Sequence, residues 1–235
     1  AREFDGAADG RIRTAVMPHS LTTVSEPLLR EAADAARDDG IPIHFHANET
    51  EDEVDPIVAE RSMRPLSYAD DAGLLSSADF LAHAVHVDRS EIDRLADTGA
   101  AVVHCPASNM KLASGIAPVQ ELLDAGVTVA LGTDGAASNN DLDLFDELRD
   151  AAMVGKLAAD DAAAVPAAAA VRAATQGRAE ALSPPGARAE DGAAADLPVV
   201  HRDAPHLTPH RALVAHPPAP APRADPPPPR CIVLV

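Results

Sequence analysis

Residues 41–49 read Ile41-Pro42-Ile43-His44-Phe45-His46-Ala47-Asn48-Glu49, an apolar run that closes on two histidines and, three residues later, a carboxylate. The same form recurs along the chain. Residues 12–17 run into Pro18-His19, residues 80–85 carry His83 and lead to His86, residues 101–105 end on His104-Cys105, and residues 128–132 lead into Thr133-Asp134. Short apolar runs separated by helix-period segments are the mark of strands in parallel βαβ units. Between the first two runs, Leu28, Leu29, Ala32, Ala33 and Ala36 form one helical stripe, with Ser25 as N-cap and Gly40 as stop. Asp88-x-x-Glu91 is a capping-box variant ahead of Ile92, Leu95 and a terminating Gly99. Asp141 is expected to open a helix with acids early and Arg149 and Lys156 late, which suits the helix dipole.

Five such units suit a doubly wound sheet or part of an α/β barrel; a complete barrel needs eight. The placement of polar residues separates the two. Every run ends in a titratable or polar group, and barrel enzymes draw their catalytic groups from the carboxyl ends of several strands at once. A doubly wound sheet concentrates them at one switch point, and no G-x-G-x-x-G follows the first run to suggest a dinucleotide. The expected fold class is α/β, a partial (β/α)8 TIM-type barrel of about five βα units.

The candidate chemistry follows from residue types at those ends. His46 can offer a neutral imidazole to a metal, and Glu49 lies in the following loop within reach of water or substrate. His44 and His46 share a strand face, because side chains repeat every two residues. They suit equally a pair of hydrogen-bonded core histidines. Asp134, in Leu131-Gly132-Thr133-Asp134-Gly135, can bind a metal and accept a proton from activated water, or simply cap the next turn. His83 can polarise a developing oxyanion or orient the attacking water, or sit as a satisfied buried histidine. Cys105 reads as a small core residue rather than a nucleophile.

At these residues the chain resembles the amidohydrolase superfamily. The matching stretches are Pro18-His19-Ser20, residues 43–51, Ala82-His83-Ala84-Val85-His86, residues 104–112 and residues 132–140. They are most similar to the branch that contains 5-methylthioadenosine/S-adenosylhomocysteine deaminases. The likeness is continuous over about residues 8–182 and resumes weakly at Ala195-Asp196-Leu197 and residues 203–209. The block ending Ser138-Asn139-Asn140 is highly specific; the lone His-x-x-Glu is not.

Position by position, the resemblance implies that His46 and Asp134 are metal ligands, usually for Zn2+, one ion per site. Glu49 would shuttle a proton to a purine ring nitrogen. His83 would hold the attacking water and the developing oxyanion, and His19 would contact the substrate alongside Glu49 and Asp134. The implied reaction is hydrolytic deamination of an adenosine-type nucleoside to the inosine form plus ammonia. Guanine and s-triazine aminohydrolases are the alternatives within the class. The H-x-E and P-C-x-x-C signature of cytidine-type zinc deaminases is absent. The family's first strand also carries a His-x-His metal pair that residues 1–40 do not supply. Glu49-Thr50-Glu51 and the preceding helix place His44-x-His46 on the fifth strand. About three strands and two metal ligands are therefore expected before Ala1, which makes a non-catalytic piece the rival reading.

Composition narrows the setting. The chain has 235 residues, 19 Lys+Arg against 37 Asp+Glu, and a formal charge of −18, with nothing resembling a basic stripe for nucleic acid. The whole excess belongs to residues 1–182, since residues 183–235 hold five acidic and five basic groups. Lys111 and Lys156 are the only lysines, and an acidic, Lys-poor surface suggests a high-salt cytoplasm or a GC-rich genome. Cys105 and Cys231 are too few and too distant for a disulfide framework, which fits a cytoplasmic protein. No apolar run approaches the roughly 20 residues a membrane span requires. The expected partner is thus a small-molecule purine nucleoside, with no nucleic acid and no membrane, and the resemblance leaves room for a homo-oligomer. Residues 1–182 read as the C-terminal part of the barrel. Residues 183–216 read as a remnant of a small β-domain, with solvated His201, His206, His210 and His216. Residues 217–235, including Pro226-Pro227-Pro228-Pro229, read as a Pro-rich tail expected to be disordered, a composition that favours polyproline II or disorder over a packed core.

Overall fold

In the computed structural model, residues 2–182 are described; the expected β-domain remnant and Pro-rich tail lie outside them. Four parallel strands form one sheet in chain order: β1 (His44–Ala47), β2 (Phe80–His83), β3 (Ala101–His104) and β4 (Val129–Leu131). His44 pairs with Phe80, Val102 sits opposite Leu81, and Val129 opposite Val102. Each strand is followed by helix. After the short α1 (Ala7–Gly10), α2 (Glu26–Asp39) precedes β1, and α3 (Glu51–Arg61) and α4 (Pro65–Asp71) link β1 to β2. α5 (Arg89–Thr98) follows β2, and α6 (Pro106–Lys111) and α7 (Val119–Asp124) follow β3. After β4 come α8 (Leu144–Ala159), α9 (Ala167–Arg172), a π-helical turn (Ala173–Gly177) and α10 (Arg178–Leu182).

Local chemistry explains the helix bounds. Asp88 accepts from the Glu91 N–H and the Glu91 carboxylate answers the Asp88 N–H, so the expected capping box is formed; Gly99 closes α5 in the left-handed region. Gly40 closes α2 likewise, at φ 64. Leu29, Ala33 and Ala36 are buried as the stripe predicts, but Leu28 is 53% exposed and does not belong to it. The helix expected from Asp141 begins at Leu144 instead, capped by Asp143. Asn139 Oδ1 takes the N–H groups of Asn140, Asp141 and Leu142, so those residues turn around an amide rather than start a helix.

The strand expected over residues 12–17 is not formed. Val16 and Ser20 make single parallel bridges to Ile43 and His46, leaving four strands rather than five. Pro18, between the two bridges, has no N–H to give a ladder. Residues 41–43 also stay outside β1, while β2 stops at His83 rather than residue 85 because His83 and Ala84 have positive φ.

Both faces of β2, β3 and β4 are buried, as a parallel sheet requires, while the His44–His46 face of β1 is half-buried. On the helix side, Phe45, Leu81, Val102, Val129 and Leu131 pack with Leu29, Leu66, Ile92, Leu95, Leu122 and Leu148. On the other face Phe80, Ala101, Val103, Cys105 and Ala130 meet Ala181. Each fully buried Leu or Ile contributes roughly 1.5–3 kcal/mol. No described helix is long and apolar enough to cross a membrane.

Against this core stands the charge imbalance, whose self-repulsion opposes compaction. Raising KCl is expected to raise the thermal midpoint most steeply below about 1 M, where the Debye length has shrunk to ~3 Å. A midpoint flat or falling with KCl in calorimetry would remove the repulsion argument.

Candidate active site

The carboxyl ends of the four strands gather the titratable residues. β1 alternates His44 and His46 on one face against buried Phe45 and Ala47 on the other. His46 Nδ1 lies 2.8 Å from the backbone oxygen of His19. A carbonyl only accepts, so the ring hydrogen sits on Nδ1 and Nε2 keeps its lone pair. The His19 ring stands 4.7 Å from that of His46, its own Nδ1 paired with the Thr23 hydroxyl at 3.0 Å.

His83 arrives by a different route. Along β2, Phe80 packs on the inner cluster and Leu81 on the helix side, so strict alternation would send His83 towards the helices. The left-handed φ values of His83 (75°) and Ala84 (49°) break the alternation. Such conformations cost about 1–3 kcal/mol each and persist where the surroundings hold them. His83 is 1% exposed, its Nδ1 lies 2.9 Å from Asn109 Oδ1, and its buried Nε2 has no hydrogen-bond partner.

Asp134 follows β4, also at positive φ (58°). Its Oδ2 accepts from the hydroxyls of Ser108 (2.7 Å) and Ser138 (2.6 Å). Burial pushes its pKa up, but those two hydroxyls, the Gly135 N–H and the nearby His83 hold it below the usual carboxylate range. The carboxylate is thereby kept ionised and oriented.

The outcome is a cluster in which His46, His83 and Asp134 each offer one ligand atom, all within 4.8 Å of one another. It is the only such group of three among the described residues. Two imidazole lone pairs and one oriented carboxylate suit a borderline divalent cation such as zinc. The orphaned Nε2 of His83 and the lone pair left on His46 meet that requirement directly.

Glu49 borders the cluster. One carboxylate oxygen accepts from the Ser114 hydroxyl at 3.1 Å and the other lies 3.6 Å from His83 Nε2. Ser114 is in turn held through its carbonyl by His86 Nε2–H at 2.7 Å. The preceding residue, Asn48, takes φ 54° and gives its amide hydrogens to buried Glu91 and to the His86 carbonyl. Glu91 also receives Arg64 at 2.6 Å, so an ion pair inside the protein braces the loop that carries Glu49.

All five residues singled out from the sequence, His19, His46, Glu49, His83 and Asp134, thus meet at one end of the sheet. The supporting hydroxyls and amide, Ser108, Ser114, Ser138 and Asn109, were not singled out. Their signal was their place in the segments that follow strand ends, Ser108 and Asn109 in α6, Ser114 just beyond it and Ser138 after β4. Cys105 is buried and burial pushes its thiol well above the ordinary range, which leaves it inert. Burial also lifts Glu147 to about 7, against hydrogen bonds from the Ala107 N–H and the Asn139 amide.

Two further histidines are held neutral. Burial pushes His44 down to about 4, its Nδ1–H donating to the Phe80 carbonyl and its ring stacked on Phe80 at 4.5 Å. His104, 2% exposed, is pushed to about 3 by burial and by His83. A histidine with a lowered folded pKa binds its proton more readily when unfolded, so its contribution is complete above pH 6.5 and fades as pH falls towards the folded value. His104→Gln is therefore expected to lose less stability on acidification than the unaltered chain, the two diverging below pH 6.5 by up to about 1.4 kcal/mol per pH unit. Parallel urea-unfolding curves across that range would refute this.

The geometry can be set beside known proteins. The chain is 68% identical over 216 residues to the 5-methylthioadenosine/S-adenosylhomocysteine deaminase of Natronomonas pharaonis, covering 92% of this chain and 50% of that protein. It is 66% identical over 216 residues to the protein of the same name from Haloquadratum walsbyi, again 92% of this chain and 49% of that one. An adenosine deaminase from Xanthomonas campestris, crystallised with bound zinc, superposes with a TM-score of 0.85 at 40% identity, over 89% of this chain and 48% of that one. The chain therefore spans about half the length of the relatives it matches. With strand-end histidines and an aspartate converging as described, and residues 1–221 matching the Amidohydrolase family, the chain belongs to that family.

Proposed function

We propose that residues 1–182 are the C-terminal part of a (β/α)8 barrel and that the assembled barrel deaminates an adenosine-type nucleoside, S-adenosylhomocysteine or 5-methylthioadenosine. In this reading residues 183–216 are the remnant of a small β-domain and residues 217–235 a Pro-rich extension. One observation carries the proposal: one ring nitrogen each of His46 and His83 and a carboxylate oxygen of Asp134 lie within 4.8 Å of one another at the strand ends. The names and identities of the relatives support the choice of nucleoside.

His46 and Asp134 would hold the zinc ion, with His83 beside them. When bound, the ion supplies Lewis acidity that lets water ionise near neutral pH. The remaining steps belong to side chains. The free oxygen of Asp134 takes a proton from the attacking water, its partner oxygen being occupied by Ser108 and Ser138. His83 Nε2 orients that water towards the amino-bearing carbon. Glu49, steadied by Ser114, places a proton on the adjacent ring nitrogen and so makes the ring a better electron sink. The amino group then takes the proton held by Asp134 and leaves as ammonia as the C–N bond breaks; the ring keeps the oxygen as a carbonyl and the proton on its nitrogen, and the hydroxyl hydrogen returns to Glu49. His19 lies beside His46, where a substrate would enter.

Ammonia release from S-adenosylhomocysteine, with zinc, tests the assignment in a longer protein that contains this chain. Failure there with both S-adenosylhomocysteine and 5-methylthioadenosine would end the nucleoside reading, and release from guanine instead would favour the alternative within the class. A second reading concerns the 235 residues alone. Because they span about half of each relative, they would bind zinc weakly and turn nothing over. A kcat of order 1–10³ s⁻¹ from the chain itself would overturn that second reading.

A further inference from the structure

We infer that Asn109, in the first turns of α6, is a positioning residue that sets which nitrogen of His83 carries the proton. The inference rests on reading the His46–His83–Asp134 cluster as the reaction centre. Asn109 is 1% exposed, and its Oδ1 lies 2.9 Å from His83 Nδ1. An amide oxygen only accepts, so the hydrogen belongs on Nδ1, and Nε2 faces the cluster with a bare lone pair. That nitrogen is buried and without a partner, which is costly unless the site uses it.

The alternative state is close at hand. With its proton on Nε2, His83 would point an N–H at the Glu49 carboxylate, whose nearest oxygen is 3.6 Å away. The lone pair would then lie on Nδ1, turned away from His46 and Asp134, and the ring could neither ligate a cation nor accept a hydrogen bond from water there. The carboxylate of Glu49 favours this state, and Asn109 opposes it. A hydrogen bond of ordinary net strength shifts such a balance roughly fivefold to tenfold.

α6 is suited to the task because it is anchored at several points. The Asn109 N–H donates to the Cys105 carbonyl, the Asn109 carbonyl receives the Ser114 N–H at 2.9 Å, and the Ala107 N–H is held by Glu147. The residue before Asn109 is Ser108, whose hydroxyl orients Asp134. Two consecutive side chains of one short helix therefore govern two of the three groups in the cluster, while neither belongs to it. His46 is governed separately, by the backbone oxygen of His19.

The test reads the proton directly, on the metal-free 235-residue chain labelled with [15N]histidine. Long-range 1H–15N correlation at about pH 8, above the ordinary imidazole range, distinguishes protonated from lone-pair ring nitrogens. His83→Gln identifies the His83 signals. The expected pattern is a protonated Nδ1 and a lone-pair Nε2. Asn109→Asp, which keeps an acceptor, retains it. Asn109→Leu makes the Nε2-protonated form dominant and lowers zinc affinity in chelator competition by about 10–100-fold, while His46 keeps its own pattern. An Nε2-protonated His83 in the unaltered chain, or an unchanged pattern in Asn109→Leu, would overturn the inference. If the pattern is as expected but a longer protein containing this chain deaminates no nucleoside, the positioning role stands and the proposed reaction falls.

Discussion

Asp134→Ala is expected to abolish deamination in a longer protein that contains this chain and to weaken zinc binding by more than about 100-fold, beyond what removal of a supporting residue produces. The carboxylate enters the proposed chemistry twice, as a cation ligand and as the acceptor of the water proton, so nothing remains to compensate. It is also the group on which the Ser108 and Ser138 hydroxyls converge, and its loss leaves Ser108 without that acceptor and Ser138 with the Gly135 carbonyl alone. The informative comparison is Glu49→Gln. Glu49 lies outside the group of converging ligand atoms and keeps a position, through Ser114, where an amide fits the same space. Zinc content is expected to stay near that of the unaltered protein while kcat falls by about 10²–10⁴, the range of general acid–base catalysis. Metal analysis and steady-state rates on the two variants separate the roles. Full zinc and full rate in Asp134→Ala, or lost zinc in Glu49→Gln, would reverse the assignment.

Gly177→Ala is expected to be the most damaging single substitution away from the site. A Cβ at this position would lie 2.2 Å from the backbone oxygen of Val129 and 3.2 Å from its carbonyl carbon. Those atoms belong to β4, the strand that delivers Asp134, and a backbone cannot rotate aside as a long side chain can. The π-helical turn over Ala173–Gly177 must therefore lift off the sheet, uncovering the apolar contacts of Ala170, Ala173 and Ala181. A cost of about 4 kcal/mol or more is expected, corresponding to roughly 10 °C in the thermal midpoint for a chain of this size. Gly126→Ala is the control. Gly126 has φ 81° but nothing within 4 Å of the added carbon, so only the backbone preference is lost, about 1 kcal/mol. Equal losses in the two variants would show that close approach to β4 is not what makes Gly177 glycine.

The strands with continuous apolar runs were legible because burial on both faces of a parallel sheet demands such runs, and four of the five expected appear. The failure over residues 12–17 has a local cause. The apolar residues there are not buried, Ile12 and Met17 being 45% and 51% exposed, and Pro18 interrupts the donor series that a ladder needs; hydrophobicity carries no information about missing N–H groups. Helix caps at Asp88, Gly40 and Gly99 were readable for the converse reason, since they depend on two to four neighbouring residues and nothing distant. The late start at Leu144 came from the Asn139 side chain folding back on three N–H groups, a competition between two local arrangements that composition alone does not rank.

From the order of residues came the alternation of strand and helix, the presence of histidine, glutamate and aspartate at the strand ends, and the kinship those motifs carry. All of these are written in short stretches, where periodicity of two or of 3.6 governs which side a residue takes. Tertiary structure supplied the rest. Alternation would have turned His83 away from the site, and only the backbone reversal at His83 and Ala84, held by packing, brings its ring within ligand distance of His46 and Asp134. Which imidazole nitrogen is bare, and which carboxylate oxygen is free, was settled by Asn109, the His19 carbonyl, Ser108 and Ser138, residues up to 27 positions away from the groups they hold. Proton placement is a property of contacts across the fold, and such contacts exist only once the chain has closed.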